Sequence, residues 1–572
     1  MNEVTLGAAP ASFPSAMKES SSSGRDLLWI ALLCGALYAV RLGSYPMGSP
    51  DEGRYAEIPR EMVASGDWIT PRLNGVNYFE KPPLMYWAVA GCYAAFGPSE
   101  WAMRAMPVLF ALGGVLLTYA AGRGLHGRAA GVAAAAVLGT SLLYFAIAHI
   151  LLLDMAVSVL MSATLFCFIL GLREPPGAKR RWLFLGLYAS AALATLTKGM
   201  IGFLVTGAVM FLWLLVFNQW KRLRPFYLPA GGLLFLAIAV PWHVLAAQRN
   251  ETWLHRYFVY EHWERFTTPA AGRPGAWYYY IGIILAGLIP WTGFLWPAVR
   301  DGLSGGWARR KENADTWFLV VWVGFIFLFF TKSHSKLAPY IVPVFPALAV
   351  LIGAWLAKAS AEAGAARLRA GLGVFYAICG LLAVALCAVV LRPPAKVDAS
   401  QALALRPAAF TLAAGLILGG GAVAWLARTR GGRAALAGVI ATMGLFFVVL
   451  QFAAPDISKP STKELALFVH DHAQPGDRVV HYHYFFHDFT FYAARLVDVV
   501  AYTGELELEE DAAARASGRF IADAEFRRRW EGPGRLWVVA RPEDTKELFA
   551  DPAFRYYLIK ETKDHSLFSN QP

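Results

Sequence analysis

Residues 152–172 read LLDMAVSVLMSATLFCFILGL, an apolar stretch with a single ionisable side chain, Asp154. A helix that crosses a bilayer needs about 20 mostly apolar residues, so this stretch predicts a membrane span. An ionisable group at membrane depth is costly and marks a functional site by default. We therefore expect Asp154 to serve chemistry, although a structural hydrogen bond between helices is the alternative.

Similar apolar stretches recur along the 572 residues, of which 57% are hydrophobic and 16% are charged. Soluble domains carry about 25% charged residues, so this composition excludes a mostly soluble enzyme and a disordered chain. The sequence predicts an α-helical polytopic membrane protein of about thirteen spans with a C-terminal α/β domain. The predicted spans are 27–43, 103–122, 128–147, 152–172, 182–197, 199–218, 226–247, 277–298, 314–331, 339–358, 370–391, 408–427 and 433–454.

Three segments follow from this pattern. Residues 1–26 are rich in Ser and Ala and are expected to form a disordered cytoplasmic N-terminus. Residues 27–454 form the membrane domain, with long outer loops near 44–102 and 248–276, and residues 455–572 form the α/β domain. In that domain we predict strands at 478–484, 496–502, 535–541 and 556–561, and helices at 462–472 and 543–550.

The net charge of +12 is explained by where the basic residues lie along the chain. Basic residues concentrate in the even-numbered connections, for example Lys179–Arg181 and Arg309–Lys311. The positive-inside rule assigns these connections to the cytoplasm. The N-terminus is then cytoplasmic, the long loops and the C-terminus lie outside, and no nucleic-acid partner is needed to explain the charge.

The first outer loop opens with Ser49-Pro50-Asp51-Glu52-Gly53-Arg54-Tyr55. Ser49 with Glu52 three residues later has the pattern of a capping box, which would begin an amphipathic helix lying on the membrane surface. Asp51 would then only complement the helix dipole. The alternative is an active site, because Asp51 and Asp154 are predicted on the same outer side and can converge.

Four outer lysines depart from the positive-inside trend: Lys81, Lys198, Lys332 and Lys336. Lysine is a common phosphate ligand, so the group favours an anionic substrate, although each side chain can instead reach lipid headgroups. In the second loop, His262 can join Glu80 or Asp51 on a metal, but no dense ligand spacing supports this.

A further histidine cluster, His481, His483 and His487, lies in the predicted α/β domain. His481 and His483 have the spacing of one strand face, which we interpret as a polar face rather than a metal site.

The Ser49–Tyr55 stretch, Gly66-Asp67-Trp68 and the run Phe79-Glu80-Lys81-Pro82-Pro83-Leu84 with Trp87 resemble membrane glycosyltransferases of the GT-C fold. Within that fold they look most like the aminoarabinose transferases that modify lipid A. Leu153-Asp154, Leu196-Thr197-Lys198-Gly199 and Lys336-Leu337-Ala338-Pro339-Tyr340 match further stretches of this family. Met200 and Ala338-Pro339 depart from the family pattern without touching a charged position.

The resemblance implies a donor, undecaprenyl phosphate carrying 4-amino-4-deoxy-L-arabinose, and an acceptor, a lipid A phosphate. Transfer would invert the anomeric carbon on the periplasmic side of a bacterial inner membrane and would reduce binding of polymyxin and other cationic peptides. No cofactor is implied, and a metal stays open. The implied catalytic residues are Asp51 and Asp154, and the implied substrate-binding residues are Glu52, Arg54, Tyr55, Glu80, Lys81, Lys198, His262, Lys336 and Tyr340.

Two other functions remain open at this stage. A GT-C enzyme that uses a protein hydroxyl or another lipid as acceptor would share most of these residues. A polyprenyl-lipid transporter would also cross the membrane many times, but transporters often show internal repeats, and none is apparent in this sequence.

Overall fold

The computed structural model describes residues 16–264, 274–361, 365–394, 398–506 and 508–572. Eight helices in these ranges are long and apolar enough to cross a membrane, which confirms a polytopic helical membrane protein. They are Glu100–His126, Leu153–Arg173, Leu228–Arg249, Ala314–Lys332, Ala338–Ala359, Ala366–Leu391, Ala399–Thr429 and Gly432–Ile457.

Two further predicted spans are bent helix pairs. Arg128–Gly139 and Leu142–Ala148 meet at 62°, and Tyr279–Gly287 and Thr292–Gly302 meet at 103°. If each pair crosses once, the described residues hold up to ten spans.

The predicted count of thirteen is not confirmed. The three remaining predictions, 27–43, 182–197 and 199–218, fall on the helices Ala16–Ala39, Ala178–Lys198 and Ile201–Phe217, and none of these satisfies the requirements of length and hydropathy. Ala178–Lys198 has basic residues in its first turn, and Ile201–Phe217 is only 17 residues long.

The first helix of the described residues is Ala16–Ala39, and residues 1–15 lie outside the described residues. Asp26, on this helix, has a buried carboxylate. Its carboxylate accepts hydrogen bonds from Arg128 at 2.6 and 2.7 Å and from Tyr119 at 2.8 Å. These contacts fix the helix against the membrane domain.

The first outer loop is an ordered layer. It contains the helix Asp51–Ser65, called the Asp51 helix below, a hairpin of strands β1 (Arg72–Leu73) and β2 (Val76–Asn77), and the helix Leu84–Phe96. Asn74 and Gly75 form the hairpin tip with φ of 54° and 72°, the left-handed pair that a two-residue hairpin turn requires.

The prediction of an α/β domain at the C-terminus is confirmed. Its six-stranded sheet has the order β5-β4-β3-β6-β8-β7, and β3 is parallel to both β4 and β6. Strand β8 is antiparallel to β6 and β7. The strands are β3 (Arg478–Tyr482), β4 (Asp498–Val500), β5 (Phe520–Ile521), β6 (Leu536–Ala540), β7 (Tyr557–Glu561) and β8 (Ser566–Ser569).

Four of these strands fall on the predicted segments, and the short strands β5 and β8 were not predicted. The helices of the domain are Lys463–His472, His487–Ala493, Ala512–Ala516, Asp523–Trp530 and Lys546–Ala550. The remaining short helices in the described ranges are Trp220–Leu223, His255–Glu264, Gly306–Arg309, Ala338–Val344, Ala366–Leu368 and Leu508–Glu510. Within two of the apolar segments above, regular α-helix runs over Phe345–Ala359 and Arg369–Leu391.

The histidines of this domain do not share a strand face, so that interpretation is wrong. His481 lies inside β3 and is fully buried. His483 lies beyond the strand and contacts Asp523 at 2.7 Å, and His487 begins a helix and contacts Glu505 at 2.5 Å. The chain turns sharply after β3, which sends the three rings in different directions.

Candidate active site

The Asp51 helix carries the first group of site residues at its beginning. The guanidinium of Arg54 lies 3.8 Å from the Asp51 carboxylate, donates to the Tyr78 hydroxyl at 3.0 Å and donates to the Glu505 carboxylate at 2.7 Å. Arg54 is buried, whereas the side chain of Asp51 is 48% exposed. The arginine is therefore fixed by protein partners, and Asp51 stays accessible to a ligand.

The C-terminal domain completes this group. Nε2 of His487 lies 2.5 Å from Oε1 of Glu505. Burial raises the pKa of Glu505, but the contact with His487 and the charge of Arg54 outweigh that effect, so its pKa lies below the ordinary value. Glu505 is therefore a stable carboxylate that holds Arg54 in place.

Glu80 and Lys81 follow Tyr78 closely in the sequence and contact each other. Lys81 Nζ donates to the carbonyl of Glu80 at 2.7 Å and lies 3.8 Å from its carboxylate. Burial and then the negative charge of Glu80 raise the pKa of Tyr78, the residue whose hydroxyl accepts from Arg54. We call this group the Asp51 cluster; its members are Asp51, Arg54, Tyr55, Tyr78, Glu80, Lys81, His487 and Glu505.

Glu52 has a different position from the one expected. Both of its oxygens accept from the fully buried Arg104, each at 2.8 Å, and they also accept from the amides of Gly48 at 2.9 Å and Leu151 at 3.0 Å. Protein donors thus satisfy the carboxylate, which is buried. A buried arginine needs such a partner, because an unpaired charge in the interior is strongly destabilising.

The capping-box interpretation is therefore wrong. Pro50 precedes the first helical residue and makes no side-chain cap, and the Ser49 hydroxyl has no hydrogen-bond partner within the described part of the chain. The helix is also not a surface helix, since every residue from Glu52 to Met62 is buried.

A second group forms where three segments of the membrane domain meet. Asp154 lies in the first turn of Leu153–Arg173, and its Oδ1 is 2.5 Å from Nζ of Lys198, the last residue of Ala178–Lys198. The same Nζ lies 4.5 Å from the ring centroid of Tyr340. These three residues line a small cavity, and we call them the Asp154 cluster.

The two clusters lie at the same end of the membrane domain, because Glu52 joins them. Its neighbour in the sequence is Asp51, and its Oε1 accepts from the amide of Leu151, three residues before Asp154. The sequence-based expectation that the two aspartates lie on one side therefore agrees with the geometry.

The chain resembles known proteins both in sequence and in structure. Residues 48–298 match the dolichyl-phosphate-mannose-protein mannosyltransferase family. Over 97% of its length, the chain superposes with a TM-score of 0.85 on the crystal structure of ArnT from Cupriavidus metallidurans bound to undecaprenyl phosphate. The identity is 28%, and 98% of that chain is covered. The chain is thus similar, in sequence and in fold, to the ArnT-like membrane glycosyltransferases of the GT-C fold.

Curated relatives in this family are named undecaprenyl phosphate-alpha-4-amino-4-deoxy-L-arabinose arabinosyl transferases. The protein from Edwardsiella ictaluri is 32% identical over 64% of this chain, and one from Sodalis glossinidius is 33% identical over 64% of it. The chain spans 65% of the length of each of these relatives in the alignments.

Lys336, one of the expected substrate-binding residues, contacts its own segment and the second loop. Nζ of Lys336 donates to the carbonyl of Ser333 at 2.7 Å, and its alkyl chain packs over Gly275, at the end of the second loop. The side chain of His262 lies outside the described residues, as do the neighbouring side chains of its helix. Among the described residues, no group of three His, Cys, Asp or Glu side chains is arranged to hold a metal.

Sequence reasoning missed Arg104, Tyr78 and Glu505, and it considered His487 only as a metal ligand. Arg104 lies inside a predicted span, and the rule that marked Asp154 would also have marked this arginine. Tyr78 directly precedes a family stretch. Glu505 lies in an acidic run with no local signal, because only the docking of the C-terminal domain brings it to Arg54.

Proposed function

We propose that this protein transfers 4-amino-4-deoxy-L-arabinose from undecaprenyl phosphate to a phosphate of lipid A. The observation that carries the proposal is the accessible Asp51 beside the fixed cation Arg54, in a chain that superposes along 97% of its length on an undecaprenyl phosphate-bound relative. The names of the curated relatives support the choice of sugar.

In this proposal, Arg54 and Lys81 hold the donor phosphate, which is also the leaving group. Cations fixed in advance stabilise the negative charge that develops as the sugar–phosphate bond breaks. Arg54 suits this role because Tyr78 and Glu505 already orient its guanidinium. Glu80, close to the same pair, is placed to attract the ammonium group of the sugar.

The attacking atom is an oxygen of the acceptor phosphate, which is anionic at neutral pH and needs no strong general base. We therefore assign to Asp51 the positioning of the acceptor and the stabilisation of positive charge on the sugar ring. Asp154, held by Lys198, would position the other side of the reacting groups.

Mass spectrometry of lipid A tests the proposal. The wild-type chain, Asp51→Ala and Asp154→Ala would be expressed in a bacterium that makes the aminoarabinose donor but lacks its own transferase. We expect aminoarabinose on lipid A, and survival in polymyxin, with the wild type only. Asp564→Ala, which removes an exposed carboxylate of the C-terminal domain, is the matched control and should keep full activity.

Unmodified lipid A with a well-expressed wild-type chain would refute the function. Modification that survives both active-site substitutions would keep the function and refute the site.

A protein hydroxyl is the second candidate acceptor, because residues 48–298 match the protein mannosyltransferase family. A hydroxyl must lose its proton during attack, so this alternative needs Asp51 as a base. Asp51→Asn would then abolish transfer completely, and glycosylated membrane proteins would replace modified lipid A in the mass spectra.

The protein crosses the membrane several times, and we propose that it lies in the bacterial inner membrane with both clusters and the C-terminus on the periplasmic side. The excess of basic residues in the even-numbered connections supports this orientation. Asp564→Cys should react with a membrane-impermeant maleimide in cells whose outer membrane has been permeabilised. Labelling only after lysis of the inner membrane would reverse the orientation.

A further inference from the structure

The C-terminal domain contains a charged cavity outside the two clusters. It is open to solvent, lies next to the first residues of β3 and β4, and has a volume of about 510 Å³, which is within the size range of small-ligand sites. Its polar lining consists of Asp477, Arg478, Arg495, Asp498, Ser517 and Arg519.

The two aspartates of the lining already have protein partners. Asp498 Oδ2 accepts from Arg478 at 2.6 Å and from Arg529 at 3.1 Å. Asp477 Oδ2 accepts from the Trp537 indole and from the amide of Gln474, each at 2.9 Å.

Two arginines of the lining have no carboxylate partner among the described residues. Arg495 donates only to main-chain carbonyls, those of Ala473 at 2.7 Å and Gln474 at 3.0 Å. Arg519 Nε is buried and has no acceptor within the described ranges. Both guanidinium groups therefore line the cavity without a carboxylate that balances their charge among the described residues.

We propose that this cavity binds a phosphate group carried on a sugar or on a lipid. Guanidinium groups bind phosphate through paired, charge-assisted hydrogen bonds. Arg495 and Arg519 can donate such bonds without breaking an ion pair to a carboxylate of the described residues. The cavity volume exceeds the need of a lone phosphate ion and accommodates an attached sugar or headgroup.

The site also reaches the loop that carries the Asp51 cluster. The guanidinium of Arg519 lies against Gly75, at the hairpin tip, where a Cβ atom would collide with it. The same hairpin tip is held by Glu61, whose carboxylate accepts from the amides of Asn74 and Gly75. The proposed phosphate site is therefore next to the hairpin that Glu61 holds against the Asp51 helix.

The test uses the full chain in phosphatidylcholine nanodiscs. Isothermal titration calorimetry with glucose 1-phosphate measures a soluble phosphosugar, and native mass spectrometry with added phosphatidic acid measures a phosphorylated lipid. We expect one of the two probes to bind, with an affinity that falls as salt rises. Arg519→Gln should weaken that binding about tenfold or more, because it removes a charge-assisted hydrogen bond.

Arg515→Gln is the matched control, since it removes an exposed arginine four residues away that does not line the cavity. Arg519→Lys keeps the charge and should retain most of the binding if Arg519→Gln proves unstable. Binding of glucose 1-phosphate alone would assign a soluble ligand, and binding of phosphatidic acid alone would assign a lipid. Absence of both, or equal effects of Arg519→Gln and Arg515→Gln, would overturn the proposal.

Discussion

The Asp51 cluster and the Asp154 cluster lie at the same end of the molecule but are built differently. Arg54 donates a hydrogen bond to Glu505, which lies 451 positions away in the sequence and belongs to a separate domain. Asp154 meets Lys198 across only 44 positions, where neighbouring helices of the membrane domain end and begin. One cluster therefore exists only when the C-terminal domain docks, whereas the other needs only the membrane domain.

The docking surface explains why the first cluster depends on small details of the Asp51 helix. Gly53 packs against the main chain at His487 and Asp488, at the start of the helix His487–Ala493. The ion pair between Glu52 and Arg104 holds the Asp51 helix against the membrane domain. Substitutions at these points should separate the two clusters experimentally.

Glu52→Ala should have the largest effect on stability. It leaves the fully buried Arg104 without its carboxylate, and breaking a buried ion pair by removing one partner costs about 3–5 kcal/mol. We expect a large fall in the midpoint of thermal unfolding and little folded protein. A midpoint within a few degrees of the wild type would show that other groups stabilise Arg104.

Gly53→Ala should loosen the docked domain. The added Cβ would lie 2.5 Å from the Asp488 nitrogen, so the helices must move apart at a cost of about 1–3 kcal/mol. Limited proteolysis should then cut faster between Ile457 and Lys463, and transfer activity should fall. Gly91→Ala, at an exposed helical position with open space around it, is the control and should behave as the wild type.

Lys198→Met tests the Asp154 cluster by itself. It leaves Asp154 without its cation and should cost about 1–2 kcal/mol, with loss of activity but normal resistance to proteolysis of the C-terminal domain. Adding Asp154→Asn should restore most of the stability without restoring activity. Recovery of activity in the double variant would show that this pair serves structure only.

The pH dependence of docking should be the smallest effect. Burial and the neighbouring Glu57 raise the pKa of Glu61 to about 8. Because this native pKa lies above the unfolded value of about 4.3, the folded state holds the proton more tightly, and stability falls as pH rises between these values. The free energy of unfolding should be lower at pH 8 than at pH 7 by about 1 kcal/mol.

Glu61→Gln should flatten this dependence, because it removes the titrating group while keeping an acceptor oxygen for one of the amides of Asn74 and Gly75. An equally steep dependence in the variant would assign the titration to another group.

Much of the membrane domain could be predicted because its rules are local. A helix in lipid must satisfy its own main chain and present an apolar surface, so apolar runs mark helices directly. All thirteen predicted spans fall on helices or bent helix pairs, and only the number of true crossings differs. The bends near Thr140 and Leu288 went unpredicted, because they arise from packing between helices rather than from hydropathy.

The site was only partly predictable, because some of its contacts arise from packing between distant parts of the sequence. Asp154 and Lys198 stood out as charges in apolar surroundings, and their pairing follows from two neighbouring helices. The role of Glu52 was misjudged, because its spacing from Ser49 suggested a local cap, while its actual partner, Arg104, is 52 positions away. A buried long-range ion pair takes precedence over a weak local hydrogen bond, and sequence spacing does not reveal it.

By itself, the sequence determined the membrane helices, the α/β character of the C-terminal domain and the charged positions at membrane depth. Periodicity, hydropathy and charge act over a few residues and can be recognised without a partner. Only the tertiary structure decided that Glu505 and His487 join Arg54, that Glu52 serves Arg104, and that arginines of the C-terminal domain surround a cavity. These contacts depend on which surfaces dock, and docking is set by the shape and charge of segments hundreds of residues apart.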